Sequence, residues 1–539
     1  MSARRRSSVS LILLASLALK PTPPEPVEPP LEQVEDRYPG FEPYALPTES
    51  DPFHLILHSP EGRTAPTEDC DVDLCRSMVT MINGAQDTVD FALYGVRGQP
   101  AIVNALIDAQ ARGVTVRGVF DRTVDGRNYY TDSDLLSDTL GTVHDDLATD
   151  RRSAAARTKE NRDPSSSRCF RPHPEGFEGP KQCLGYDLGD SCLIAVHASR
   201  ETLDFEGEIM HNKFVVVDGT YLWMGSTNAS DSGTGGYNAN VVGVWHSPQL
   251  AEWYTAEFDE MYSGVFHNDK AARGRMRTQL DNGKVTAQVY FSPQDKPLTR
   301  AVRPLIQNAR ERIDISVFFL TNKYVTGDLI EAHQRGVQVR IIMDATGAKN
   351  GYTKHELLRA AGIPVKVEDW GGKMHMKSMA VDSRHVVLGS MNWTAAGEGG
   401  NDENTIVVNS PAHAHAYHDF FEDLWGGIPD RWLEENPNPE SLDSPPSCTD
   451  GSDNDFDRLR DDQDPGCTDA PPPMPPLPPY AVVPKADGYD LVKGEEDVFG
   501  KRTFYQPDHP LYPSIRMGKR DTWLCSVNQA WDEGYRPPN

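Results

Sequence analysis

Apolar positions along the chain fall into short runs of strand or helix period, and the runs occur twice in the same order. The first set opens with the strand pattern Leu55-Ile-Leu-His-Ser-Pro60, continues with a helical pattern from Cys75 to Ala85, and returns to a strand at Thr88-Val-Asp-Phe-Ala-Leu-Tyr94. The second set reads Gln288-Val-Tyr-Phe-Ser-Pro293, then Leu305 to Arg310, then Arg312-Ile-Asp-Ile-Ser-Val-Phe-Phe319. The clearest repeat follows, Ala105 to Asp121 against Asp328 to Asp344. Each stretch predicts a helix closed by a glycine, Gly113 or Gly336, and then a buried strand ending in Asp121 or Asp344. That glycine and aspartate read as fold residues. Repeated strand–helix–strand order implies an α/β fold with helices packed on central sheets, built as two homologous halves.

The repeat is tightest where the pattern turns polar. Six positions match with identical spacing: His211/His375, Lys213/Lys377, Asp218/Asp382, Gly225/Gly389, Ser226/Ser390 and Asn228/Asn392. His and Lys two residues apart on a strand share a face. Phe214 to Val217 suits a buried strand, Asp218-Gly219 is a hairpin turn signal, and the return strand Tyr221 to Met224 brings Gly225, Ser226 and Asn228 back toward His211. Glycine allows close backbone approach to a ligand, and Ser and Asn add neutral hydrogen-bond groups. One copy thus offers an imidazole, a cation and polar groups around one spot, which suits a phosphoryl group. Two facing copies offer two imidazoles, one to attack phosphorus and one to protonate the leaving oxygen.

On these residues the chain resembles the phospholipase D superfamily, whose signature is this His-x-Lys-x4-Asp-x6-Gly-Ser-x-Asn pattern in duplicate, over roughly residues 50 to 430. The resemblance implies two α/β/α sandwich halves forming one bilobal catalytic unit, with a disordered or irregular C-terminal extension. It implies phosphodiester chemistry through a covalent phosphohistidine, with no cofactor or metal for catalysis. His211, Lys213, Asp218, His375, Lys377 and Asp382 are then the catalytic set, with Ser226, Asn228, Ser390 and Asn392 binding phosphate. After each motif the family carries an acid that hydrogen-bonds a catalytic imidazole, commonly in the opposite half. Glu403 in Asn401-Asp-Glu-Asn fits that place, whereas Asn240 in Asn238-Ala-Asn stands where an acid is expected. A carboxylate orients an imidazole and stabilises its cation, while an amide only orients it.

Composition changes the picture outside the repeats. Met-Ser-Ala-Arg-Arg-Arg followed by an apolar run from Val9 to Leu19 reads as a secretory signal, which places the protein outside the cell or in a bacterial cell envelope. The expected organisation is a signal peptide over 1–20, a Pro-rich linker over 21–50, a first repeat over 51–270 and a second over 271–435. An Asp-rich loop and Pro-rich linker follow over 436–480, then a tail over 481–539. Between Asp121 and His211 lie 89 residues, against 30 between Asp344 and His375. This insertion, about 122–205, holds three of the eight cysteines and is expected to form a disulfide-braced flap beside the site, a distal decoration being the other reading. The loop from Cys448 to Cys467 alternates Asp and Asn, with Asp453, Asp455 and Asp457 as candidate calcium ligands; a solvated acidic linker is the other reading.

Net charge is −27, which disfavours a bulk nucleic-acid binder, since such binding draws on released counterions at basic surfaces. The favoured function is a phospholipase D-type enzyme that hydrolyses or transphosphatidylates phospholipids, touching a membrane surface peripherally. An exported endonuclease of the same superfamily is the alternative. Duplication within one chain favours the lipase, since many small nucleases of the resembled superfamily build the site from two chains; a monomer is expected, and two intact motifs argue against a non-enzymatic module.

Overall fold

Four apolar residues follow Lys213 and four largely apolar ones follow Lys377, and with those lysines both runs form fully buried central strands. The computed structural model describes residues 41–159, 181–188, 191–196, 208–349, 353–455, 459–468, 481–484, 492–496, 501–506, 509–512, 522–524, 527–532 and 534–538. The secretory-signal reading, most of the first Pro-rich stretch, Asp457 and the polyproline run 471–479 fall outside these residues, as does much of the insertion.

The first half contains strands β1 (Phe53–His58), β2 (Thr88–Leu93), β3 (Thr115–Phe120), β4 (Val143–Asp145), β5 (Lys213–Val217), β6 (Tyr221–Gly225) and β7 (Asn240–His246). They form one sheet in the order β1-β7-β6-β5-β2-β3-β4. The second half contains β8 (Met276–Leu280), β9 (Val285–Ser292), β10 (Arg312–Val317), β11 (Gln338–Met343), β12 (Val365–Val367), β13 (Lys377–Val381), β14 (His385–Gly389) and β15 (Glu403–Asn409). Their order is β8-β9-β15-β14-β13-β10-β11-β12. Apart from the edge strand β8, the second sheet repeats the first strand for strand. In each, a parallel pair (β2 with β3, β10 with β11) is joined by a helix, Pro100–Ala111 or Lys323–Gln334, because parallel neighbours need a crossover. Gly113 and Gly336 follow these helices with φ of 95° and 90°, the left-handed conformation that a closing glycine supplies.

The hairpin signal holds: Asp218 and Gly219 have φ of 50° and 57°, and β5 pairs with β6 in the register Phe214↔Met224 to Val217↔Tyr221. The two halves share one apolar core, which runs from Phe214, Met224 and Phe258 to Phe291, Ile406 and Phe421. Tyr254, from the helix Pro248–Tyr262, sits edge-on to Phe214 at 5.0 Å and to Phe291 at 5.0 Å, so it links both sheets. Burying one such ring contributes roughly 2 kcal/mol from removed apolar area.

Outside the repeats, the insertion supplies a hairpin, Lys181–Leu188 and Ser191–Val196, and Ala481–Pro484 of the C-terminal extension joins it as a third strand. A small sheet of Val492–Glu496, Arg502–Tyr505 and Thr522–Leu524 carries its own apolar cluster around Phe504. The stretch 436–446, a linker by composition, instead packs on the second half: Asn436, Asn438, Glu440, Ser441 and Ser444 are buried, and Arg359 donates to Asn436 Oδ1 at 2.8 Å. Disulfides join Cys70 to Cys75 and Cys448 to Cys467.

Candidate active site

His211 and His375 stand just before β5 and β13, on the segments where the halves meet. Met210 bridges Asp402 and Met374 bridges Ala239 as short parallel pairs across the interface. His211 N–H donates to Asp402 O and His375 N–H to Ala239 O, each at 2.9 Å. Asp121 and Asp344, at the ends of β3 and β11, accept the N–H of Met210 at 2.9 Å and of Met374 at 3.0 Å. These two aspartates therefore hold the strand entries in place, in keeping with their reading as fold residues.

The side chains cross the same interface. Nδ1 of His211 lies 2.9 Å from both carboxylate oxygens of Glu403, and Nδ1 of His375 lies 3.3 Å from Oδ1 of Asn240. With Nδ1 held, Nε2 of each ring is the atom left for chemistry. Lys213 and Lys377 are buried, and each ammonium donates to the carbonyl of its own histidine at 2.8 Å. That uses one of three donors per lysine.

Ser226 and Ser390, expected on phosphate, are placed differently. Ser226 Oγ donates to Asn240 Oδ1 at 2.8 Å and Ser390 Oγ to Glu403 Oε2 at 2.7 Å, while each Oγ accepts the N–H of Val241 or Asn404 at 3.0 Å. Their hydroxyls orient the partners of the histidines. Asn228 and Asn392 keep the phosphate role open: among the described residues neither Oδ1 has a hydrogen-bond partner, and Asn228 Nδ2 donates to Tyr130 Oη at 2.9 Å. A half-turn of either amide presents N–H donors instead.

Asp218 and Asp382 do not reach the site. They sit at the far ends of β5 and β13, where Asp218 accepts the N–H of Gln86, Asp87 and Thr88 at 2.8–2.9 Å. Asp382 does the same for Arg310, Glu311 and Arg312, with its closest contact 2.9 Å. The catalytic expectation for both is corrected: they close the turn before β2 and β10. The glycine expectation is corrected too. A Cβ on Gly225 would lie 2.2 Å from Val241 O, and one on Gly389 2.2 Å from Asn404 O, so the close approach is to the neighbouring strand.

Asp453 and Asp455 converge with Glu440, a residue absent from the sequence expectation, while Asp457 lies outside the described residues. Lys349 Nζ lies 2.8 Å from Asp455 and supplies positive charge there.

Sequence reasoning missed the aromatic residues over the site. Tyr94 and Phe318 follow β2 and β10; their rings lie 5.3 Å from those of His211 and His375, with Lys213 and Lys377 5.5 and 5.0 Å from the same rings. An aromatic residue at the same place in both repeats was the available signal. Asn401 and Asn238 were also passed over: their Oδ1 atoms accept the N–H of Ile209 at 3.3 Å and of Lys373 at 2.9 Å across the interface.

Burial first, then Lys213, Lys377 and His375, pushes His211 well below its ordinary value near 6.5. His375 is pushed the same way by burial, Lys377 and Lys213. Burial brings Lys213 down to about 7 and Glu403 up to about 8, with their mutual attraction opposing both shifts. Burial thus works against charge on all four groups, and an anion held among them would favour the charged form of Lys213.

A family model described as "Cardiolipin synthase, PLD-like domain" matches residues 78–262 and 302–425, more than half of the chain. The chain belongs to this phospholipase D-like family, with its duplicated His-x-Lys core. It is 34% identical over 140 residues to a Rickettsia bellii protein named Phospholipase D, covering 26% of this chain and 68% of that protein. It is 34% identical over 118 residues to a Chlamydomonas reinhardtii protein named Mitochondrial cardiolipin hydrolase, covering 22% of this chain and 53% of that one. The solved structure of a phospholipase D family member, Nuc from Salmonella typhimurium, is 28% identical over 27% of this chain and 97% of its own, with a TM-score of 0.25.

Proposed function

We propose that this chain is a phosphodiesterase that cleaves or transfers the headgroup of a phospholipid through a phosphohistidine on His211. The observation that carries the reading is the unequal pair of histidine partners across one interface, Glu403 on His211 and Asn240 on His375. Nε2 of His211 attacks phosphorus, and the bond to the leaving oxygen breaks as His375 Nε2 gives that oxygen its proton. Water, or an acceptor alcohol, then loses a proton to His375 while its oxygen displaces His211 from phosphorus. Glu403 stabilises the imidazolium formed on His211, and the amide of Asn240 leaves His375 freer to release its proton. Lys213, Lys377, Asn228 and Asn392 hold the phosphoryl oxygens. This scheme uses no metal, so any calcium on Glu440, Asp453 and Asp455 would be structural.

The names of the Rickettsia and Chlamydomonas relatives support a lipid substrate, as does the net charge of −27. We read the basic-then-apolar N-terminus as an export signal and the enzyme as a monomer meeting membranes peripherally. The test is a side-by-side assay on phosphatidylcholine vesicles, single-stranded DNA and a small soluble phosphodiester. Headgroup release from the vesicles with DNA left intact is the expected result. DNA cleavage without lipid turnover would overturn the lipid assignment in favour of the endonuclease.

A further inference from the structure

The C-terminal extension reaches the catalytic unit through the loop that Cys448 and Cys467 close. Tyr237, 2% exposed, donates its phenol O–H to Asp450 Oδ2 at 2.6 Å. Asn454 Nδ2 donates to Gly371 O at 2.5 Å and to Asp450 Oδ2 at 3.0 Å. Asn454 O accepts from Thr346 Oγ1 at 2.9 Å and from the Lys373 ammonium. The loop is shaped in turn by Glu440, whose carboxylate accepts the N–H of Asn454 at 2.5 Å and of Asp461 at 2.7 Å. It therefore touches the first half at Tyr237 and the second at Thr346 and Gly371–Lys373.

Both contacted segments run directly into the His375 side of the site. After Tyr237 come Asn238, which accepts Lys373 N–H, then Ala239, which accepts His375 N–H, then Asn240, the partner of the His375 ring. A Cβ on Gly372 would lie 1.6 Å from Tyr237 O, so the two segments meet with no spare volume. The other side of the site is braced by different residues. Asp402 stands in the place of Ala239, and its carboxylate accepts His267 N–H at 2.9 Å and pairs with Lys270 at 2.7 Å. Gly400 stands in the place of Tyr237, so the phenol has no counterpart there.

We propose that residues 448–455 of this loop are a positioning element of the active site, in which Asp450, through Tyr237, holds Asn240 and His375 in place. The proposal rests on the two-histidine reading above. Its physical reason is the steep dependence of rate on alignment, where a displacement of about 1 Å costs on the order of 100-fold.

The test uses the full chain carrying Tyr237→Phe, which keeps the ring and removes the hydroxyl, and Asp450→Ala. Asp462→Asn, at an exposed loop position, is the control. Three quantities are read: kcat and KM on bis(4-nitrophenyl) phosphate well below the melting temperature, Tm, and titration of the His375 ring by NMR of isotope-labelled histidine. The expected result for Tyr237→Phe is a kcat lowered by about tenfold with KM within about twofold, and a displaced His375 titration. The control should match wild type. A lowered Tm with unchanged kcat and an unchanged His375 titration would reduce the loop to a structural cover and overturn the proposal. Should the wild type cleave no phosphodiester, the functional reading fails, and the His375 titration still decides the loop's role.

Discussion

Nδ1 of His211 lies 2.9 Å from each carboxylate oxygen of Glu403, a residue 192 positions later and in the opposite half. At the corresponding place His375 faces the amide of Asn240 at 3.3 Å. A duplicated fold has in this way produced two histidines with different partners. The consequences are chemical.

Glu403→Gln should lower kcat by about 100-fold, within the range for an acid–base contribution, with little change in Tm. The amide keeps a hydrogen bond to His211 but, unlike Glu403, which burial raises to about 8 yet which can still ionise beside a His211 cation, it never carries the charge that stabilises that cation. In wild-type enzyme quenched during turnover of a ³²P-labelled substrate, the label should map to the peptide containing His211. Label on His375 would exchange the roles of the two rings.

The pH profile of kcat/KM, which reports the free enzyme, should peak on the acid side of neutrality. His211 must be neutral to attack, and burial with Lys213, Lys377 and His375 holds it well below 6.5, so the acid limb falls below that pH. His375 must carry the proton it gives to the leaving oxygen, and burial with Lys377 and Lys213 holds it well below 6.5 too, so the alkaline limb also begins on the acid side. An optimum above pH 8 on a soluble substrate would contradict this assignment.

Asp218→Ala should leave kcat near the wild-type value while destabilising the fold by about 2 kcal/mol, the scale for losing hydrogen bonds to a charged acceptor. Three backbone N–H groups, those of Gln86, Asp87 and Thr88, lose their carboxylate. Denaturant unfolding paired with kinetics checks both halves of the statement. A loss of turnover in a fully folded variant would return Asp218 to the catalytic set.

Excess chelator should leave turnover of a soluble phosphodiester unchanged. Lys213 and Lys377 already bring a cation beside each imidazole, 5.5 and 5.0 Å from the Tyr94 and Phe318 rings that cover the site. Complete loss of rate restored by zinc or magnesium would show that a metal supplies the charge instead.

The sequence by itself determined the α/β halves, the duplication and the pairing of each histidine with a lysine. Those features are local. Strand period two puts His211 beside Lys213, helix period and a closing glycine delimit Pro100–Ala111, and the same spacing recurs in the second half. One misreading was also local: Asp218 lies seven residues past His211 along an extended strand, about 23 Å at 3.3 Å per residue, too far to share a phosphoryl group.

The resemblance already set Glu403 against a histidine of the opposite half, and only the tertiary structure decided the other partners. Spacing within a motif cannot say whether Ser226 meets phosphate or Asn240, because that depends on where β7 lies beside β6. Nor can it say that Gly225 faces a neighbouring strand, or that a loop of alternating aspartates docks on Tyr237 and Asn240's own segment. Contacts between residues tens to hundreds of positions apart are set by how two sheets and their shared core close on each other. Hydrophobic period records which face of a strand is buried, and the residues it is buried against come from packing.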